Sequence, residues 1–144
     1  MRIGFASDHA GYVLKERLKA WAVASGHGVV DFGTDGTPSV DYADYAHKAA
    51  ERMNEWDRLV VVCGSGLGIS MAANRHAHLR CALVTSPEHA RLARQHNDAN
   101  AIAFGQRLTD PLQAEYYLKI FLETPFEGGR HENRVKKIDV TLCQ

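Results

Sequence analysis

The segment at residues 59–74, Leu-Val-Val-Val-Cys-Gly-Ser-Gly-Leu-Gly-Ile-Ser-Met-Ala-Ala-Asn, constrains this chain more than any other. Its β-branched start, residues 59–62, reads as a buried strand, and residues 69–74 read as the opening of a helix. Between them Gly64, Gly66 and Gly68 leave the backbone uncovered. Successive N–H groups in such a turn can converge on an anion beside the positive end of a helix. Cys63 stands at the mouth of the turn, and a thiol close to a helix N-terminus ionises more readily than an isolated one. A nucleophile or base beside an anion cradle is one reading. A small buried cysteine in a turn made glycine-rich by packing is the other.

The same alternation runs on both sides of this segment. Residues 2–6 read as a first strand, and Ser7-Asp8-His9-Ala10-Gly11 as the turn into a helix on which Val13, Leu14, Leu18, Trp21 and Ala22 recur at helical spacing. Gly26 and Gly28 end that helix, residues 29–32 form a second strand, and residues 33–40 form a loop rich in Gly, Thr, Pro and Asp. A helix is expected over residues 42–54, a fourth strand at 79–84, a helix from Pro87 to about residue 96, a fifth strand at 101–104 and a helix over 111–122. Strands alternating with helices at this spacing imply a three-layer α/β/α doubly wound, Rossmann-like fold with a five-stranded parallel sheet. At 144 residues the chain is expected to be a single domain over 1–144.

Ligands of such folds gather at the carboxyl ends of the strands, near the point where strand order reverses. Asp8, His9 and Cys63 fall at those ends. His96 and Asn97 close the fourth helix and reach the opposite edge, where they are expected to serve a neighbouring subunit. Asp8 has a bland alternative as a helix cap, and the polar run His96-Asn97-Asp98-Ala99-Asn100 one as turn residues. Arg130 and Arg134 are four apart, on one face if that segment is helical, and such a pair can grip a phosphate.

Composition removes several classes. Lys and Arg number 17 against 17 Asp and Glu, so the basic excess of a nucleic-acid or membrane-surface binder is missing. Cys63, Cys81 and Cys143 are three in number and lack CxxC spacing, which argues against a disulfide framework or zinc knuckle and fits a reducing, cytoplasmic setting. The N-terminal apolar run before Asp8 reads as neither signal peptide nor membrane anchor. Cys81 is expected in the core, Cys143 near a mobile end, Trp21 and Trp56 in core or interface, and His76 and His78 in solvent. The remaining histidines, His27, His47, His89 and His131, offer no spacing argument.

Taken together, Asp8-His9, Asp31-Phe-Gly-Thr34, Asp41-Tyr42, Cys63-Gly-Ser-Gly-Leu-Gly-Ile-Ser70, Ala72-Ala-Asn74, Arg94-Gln-His-Asn-Asp98, Phe104-Gly-Gln-Arg107 and Glu127-Gly-Gly-Arg-His131 with Arg134 resemble the RpiB/LacAB sugar-phosphate isomerase family, over nearly the whole chain and in the family's order. The resemblance implies interconversion of D-ribose 5-phosphate and D-ribulose 5-phosphate through an enediolate, in the pentose phosphate pathway, without metal or cofactor. It implies a homodimer or dimer of dimers with shared sites, the segment from about residue 125 contacting the partner. By position Cys63 looks like the base that moves the proton between C1 and C2, and His96 like the acid that assists ring opening. Ser65 and the amides of Gly64, Ser65, Gly66, Leu67 and Gly68 would hold the oxyanion; Asp8, Tyr42 and Asn97 would meet the sugar. His9, Arg107, Arg130 and Arg134 would surround the phosphate.

Family members without this cysteine use a carboxylate where Ile69 stands here, so the resemblance assigns the base to Cys63. Both Cys63 and His96 are present, which favours a self-sufficient homomer over a pair of specialised subunits. Ala43 replaces a proline that often follows the Asp-Tyr pair and bears on sugar selectivity. A nucleotide-binding module is disfavoured because the turn after the first strand lacks the dinucleotide glycines. A cysteine-dependent phosphatase needs an arginine where Ile69 stands. The same chemistry on allose 6-phosphate, galactose 6-phosphate or a tetrose phosphate is the remaining alternative.

Overall fold

The computed structural model describes residues 1–139; Cys143 lies outside them. Strands β1 (Arg2–Ser7), β2 (Gly28–Asp31), β3 (Arg58–Cys63), β4 (Cys81–Leu83) and β5 (Ala101–Gly105) form one sheet in the order β2-β1-β3-β5-β4. Every pairing is parallel. Helices α1 (Tyr12–Ala24), α2 (Tyr42–Ala50), α3 (Leu67–Ala73), α4 (Pro87–Gln95), α5 (Pro111–Glu123) and α6 (Arg130–Lys136) accompany it among the described residues, giving the three-layer fold expected.

Side chains of a strand alternate between the two faces of a sheet, and the central strands use both for burial. Val60, Val62, Ile102 and Phe104 point into a core closed by α1, α4 and α5; Leu59, Val61, Cys63, Ala101 and Ala103 point into a second core closed by α2 and α3. Burying each large aliphatic or aromatic side chain contributes about 1.5–3 kcal/mol, so a sheet apolar on both faces dictates a cover on each.

β1 leads through α1 outward to β2, whereas β3 leads through α3 toward β4 on the other side. The strand order therefore reverses between β1 and β3. These two strands are paired up to Ser7 against Val62, which brings Asp8 and Cys63 to the crevice that opens there.

Several boundaries differ from the sequence reading. The second helix stops at Ala50, and a separate 3-10 turn, Met53–Glu55, follows it. Trp56 is buried there and its indole N–H donates to the Ala49 carbonyl at 2.9 Å, which anchors the end of α2. The fourth strand is shorter than expected because the Arg80 N–H bonds to the Asn100 side chain rather than to the ladder. The segment carrying Arg130 and Arg134 is helical. His76 is not simply solvated: its Nε2 lies 2.7 Å from Nδ1 of His47. No helix among the described residues is long and apolar enough to cross a membrane.

Candidate active site

A cavity of about 350 Å³ opens at the carboxyl ends of the central strands, lined by Asp8, His9, Ala10, Tyr42, Cys63, Gly64, Ser65, Gly68, Arg107 and Leu108. Three turns build it, following β1, β3 and β5. They are stitched together by backbone bonds: Gln106 N–H to the Cys63 carbonyl at 2.9 Å and Arg107 N–H to the Gly64 carbonyl at 3.0 Å. Gly11 allows the first turn to press against β3, since a Cβ there would come within 2.4 Å of the Val62 carbonyl oxygen.

Cys63 ends β3 and is only 4 % exposed. The Gly66 N–H donates to its Sγ at 3.1 Å, an interaction that strengthens when the sulfur carries negative charge. That contact depends on Gly66 having φ 78, a left-handed conformation, and on its lack of a Cβ, which would meet the Phe104 carbonyl carbon at 2.9 Å. The Leu67 N–H donates to Ser65 Oγ at 3.2 Å. The turn thus directs two of its amides to its own side chains. Those of Gly64 and Ser65 make no hydrogen bond with any described residue.

An arginine, a tyrosine ring and a histidine face this turn. The Arg107 guanidinium lies against Gly64, where a Cβ would stand 2.9 Å from Nη1, and no carboxylate among the described residues pairs with it. The Tyr42 ring lies against Gly68, 2.5 Å from where a Cβ would be. His9 Nδ1 sits 3.1 Å from the Val40 N–H and 3.2 Å from its carbonyl oxygen; accepting from the N–H leaves the ring proton on Nε2. Asp8 caps the first turn, its Oδ1 accepting from Gly11 N–H at 3.0 Å, and the residue also lines the cavity.

The structure separates the other expected residues from this group. α4 and α5 run back toward the amino edge of the sheet, so His96, Asn97 and the segment leading to α6 gather at the end away from Cys63. There the His96 and His131 rings stack at 4.2 Å with 13° between planes, and Arg130 and Arg134 lie on α6 beside them. Asn97 borders a different cavity, together with Asn74, Cys81 and Ile138.

The sequence reading placed Arg94 and Asp98 in a motif without a role and did not single out Arg80; these residues hold the second group in shape. Arg94, buried, donates to Asp98 Oδ1 at 2.8 Å, to the Ala99 carbonyl at 2.6 Å and to the Thr124 carbonyl at 3.2 Å. Arg80 donates to the carbonyls of Asn97 and Asp98 at 3.2 and 3.0 Å. Asp98 adopts φ 45, so the turn that presents His96 and Asn97 is bent sharply and braced on both sides. The spacing of Arg94 and Asp98, four apart at a helix end, was the available signal.

His96, Glu127 and His131 form the group among the described residues whose donor atoms come within 4.8 Å of one another. An imidazole binds a metal along its nitrogen lone pair, in the plane of the ring. Two rings stacked 13° from parallel cannot both contain one ion in their planes, so the arrangement is not a preformed metal centre. Cys81 is also set apart from Cys63. Burial of its sulfur pushes the thiol up to about 12, which keeps it protonated although the residue as a whole is only half-buried.

A doubly wound sheet with, at its switch point, a thiol, an amide-lined turn, a histidine and an arginine unpaired among the described residues defines an enzyme site for a small anionic substrate. The chain belongs to the Ribose/Galactose Isomerase family, whose model matches residues 3–138, and with that it is a sugar-phosphate aldose-ketose isomerase. It is 40% identical over 139 residues to ribose-5-phosphate isomerase B of Escherichia coli, covering 95% of this chain and 93% of that protein. A solved structure of a ribose 5-phosphate isomerase from Thermotoga maritima superimposes with a TM-score of 0.94 at 47% identity, covering 96% of this chain and 97% of the other. Ribose-5-phosphate isomerase B of Clostridium thermocellum gives a TM-score of 0.94 at 45% identity, with 96% and 95% covered.

Proposed function

We propose that the chain interconverts D-ribose 5-phosphate and D-ribulose 5-phosphate, with Cys63 as the base, as a cytoplasmic homodimer or dimer of dimers. The observation that carries this reading is the Gly66 N–H on Cys63 Sγ beside the unbonded amides of Gly64 and Ser65. It puts a proton acceptor next to donors for a developing oxyanion.

In the open-chain aldose the Cys63 thiolate removes the proton from C2. The electron pair of that C–H bond forms the C1–C2 double bond, and the negative charge moves to O1, where the unbonded amides of Gly64 and Ser65, with the Ser65 hydroxyl, hold it; the amides of Gly66 and Leu67 are engaged by Cys63 and Ser65 instead. The proton returns from sulfur to C1, the O2 proton passes to O1 as the C2–O2 double bond forms, and the ketose results with Cys63 again a thiolate. Asp8 and Tyr42 bind and orient the sugar, and His9 and Arg107 bind phosphate from the same chain.

His96 as ring-opening acid, Asn97 on a sugar hydroxyl, and Arg130 with Arg134 on the phosphate come, in this reading, from a second copy. Two facts support it. Those residues sit together at the amino edge, away from their own Cys63. The α3 face next to the cavity leaves Leu67 49% and Met71 65% exposed, with Tyr42 beside them, an apolar surface suited to burial against another copy. The pentose is favoured as substrate by the names of the relatives.

The test is turnover of ribose 5-phosphate, allose 6-phosphate and galactose 6-phosphate in EDTA, with Cys63→Ala alongside. Pentose preference, indifferent to chelator and lost in the variant, is the expected result. Negligible pentose turnover by folded protein, or full activity in Cys63→Ala, would overturn the reading.

A further inference from the structure

We propose that His131 is a positioning residue for His96, fixing the plane of that imidazole by stacking in the role that a hydrogen-bonded partner commonly fills. The inference rests on the reading of His96 as the ring-opening acid.

His96 follows the last turn of α4 and is half-buried, yet its side chain makes no hydrogen bond with any described residue. Its close contact of defined geometry is the His131 ring, 4.2 Å away and 13° from parallel. His131 is itself held firmly: it is 5% exposed, sits in the first turn of α6, and its N–H bonds to the Gly128 carbonyl at 3.1 Å. Its Nε2 is buried without a hydrogen-bond partner, 3.4 Å from Glu127 Oε2.

A proton donor must be aimed, because the N–H bond of an imidazole lies in the ring plane. A hydrogen-bonded carboxylate aims such a ring but occupies one of its nitrogens. A stacked neighbour fixes the plane and leaves both nitrogens of His96 available.

The charges around His131 suit this role. His96 faces it from the end of α4, Glu127 from the segment before α6, and Arg130 and Arg134 from α6 itself. Burial, then His96 and Arg130, hold its basicity below that of an ordinary histidine, with Glu127 opposing. That direction favours the uncharged form of the His131 ring. A neutral ring against an imidazolium is attractive, whereas two stacked cations would repel.

The experiment compares two reactions of the whole enzyme. Conversion of ribose 5-phosphate begins from a closed furanose and needs ring opening. Exchange of the C1 proton of ribulose 5-phosphate with deuterated solvent does not, because that ketose is open-chain. His131→Leu removes the flat face, and His131→Phe restores it without a titratable nitrogen. In His131→Leu, kcat on ribose 5-phosphate is expected to fall about tenfold to a hundredfold with little change in KM, while C1 exchange persists. His131→Phe is expected to recover most of the loss. Should His131→Leu fail to fold, His131→Gln takes its place in the same comparison.

Equal loss of both reactions, no loss of either, or a phenylalanine variant no better than leucine would overturn the inference. His96→Ala run in parallel separates the two levels. If it leaves ribose 5-phosphate turnover intact, the reading of His96 falls; if it slows turnover and His131→Leu does not, only the stacking role falls.

Discussion

The Arg107 guanidinium rests on the bare backbone of Gly64, so close that a Cβ at residue 64 would stand 2.9 Å from Nη1. The cation of the site and the first residue of its glycine-rich turn thus occupy space that any side chain at 64 would contest.

Gly64→Ala should displace the guanidinium without unfolding the chain, because the contested atom ends a flexible side chain. On the proposed role of Arg107 at the phosphate, pushing that cation aside should raise KM for ribose 5-phosphate about tenfold, the loss of one charge-assisted contact. Steady-state kinetics check this, and an unchanged KM would show that Arg107 does not bind substrate from this position.

Gly66→Ala should instead destabilise the fold. Residue 66 has φ 78, and a Cβ would meet the backbone of Phe104 at 2.9 Å and of Gly105 at 3.0 Å, which cannot give way, besides the end of the Leu83 side chain at 2.6 Å. The expected loss is at least about 1–3 kcal/mol, read as a lower midpoint in urea. A variant as stable as the parent would contradict the close packing of the α3 entry on β5.

Acid stability should depend on Asp31. Burial alone would raise its carboxyl, but hydrogen bonds from Lys15 and Lys19 and from the Gly33 N–H outweigh that and hold it below the ordinary 3.8. Lys15 is 0% exposed and bonds Asp31 at 2.7 Å. A carboxyl depressed on folding stabilises the protein above its unfolded pKa, and that stability drains as pH falls through the folded value. Asp31→Asn should therefore lower Tm at neutral pH, by an amount that shrinks as pH drops below 3.8. A gap in Tm that is constant with pH would remove the linkage.

How far these features could be read from the sequence varied with their chemistry. The alternation of apolar runs specified the parallel sheet, and the glycine-rich turn located Cys63 at a strand end, because both signals are local. Which glycine serves which neighbour was not local: Gly64 faces Arg107 and Gly68 faces Tyr42 across long stretches of chain. The end of α2 at Ala50 depends on the Trp56 indole reaching back to Ala49, a tertiary contact that helical periodicity does not encode. His131 had no spacing signal at all, since its partner His96 lies on another helix. The placement of His96 at the sheet edge opposite Cys63 was legible from topology, because a crossover helix must end at the edge opposite the one where it began.

The central claim, that the Cys63 cavity of one copy is completed by His96 of another, is tested most directly by mixing two inactive variants. Cys63→Ala and His96→Ala are co-expressed, and the purified mixture is assayed on ribose 5-phosphate. In a hybrid dimer one shared site loses both groups and the other keeps both, so random pairing should restore about a quarter of parental activity. Recovery near that level is the predicted result. A mixture as inactive as either variant alone, with hybrid dimers shown to be present, would contradict the account.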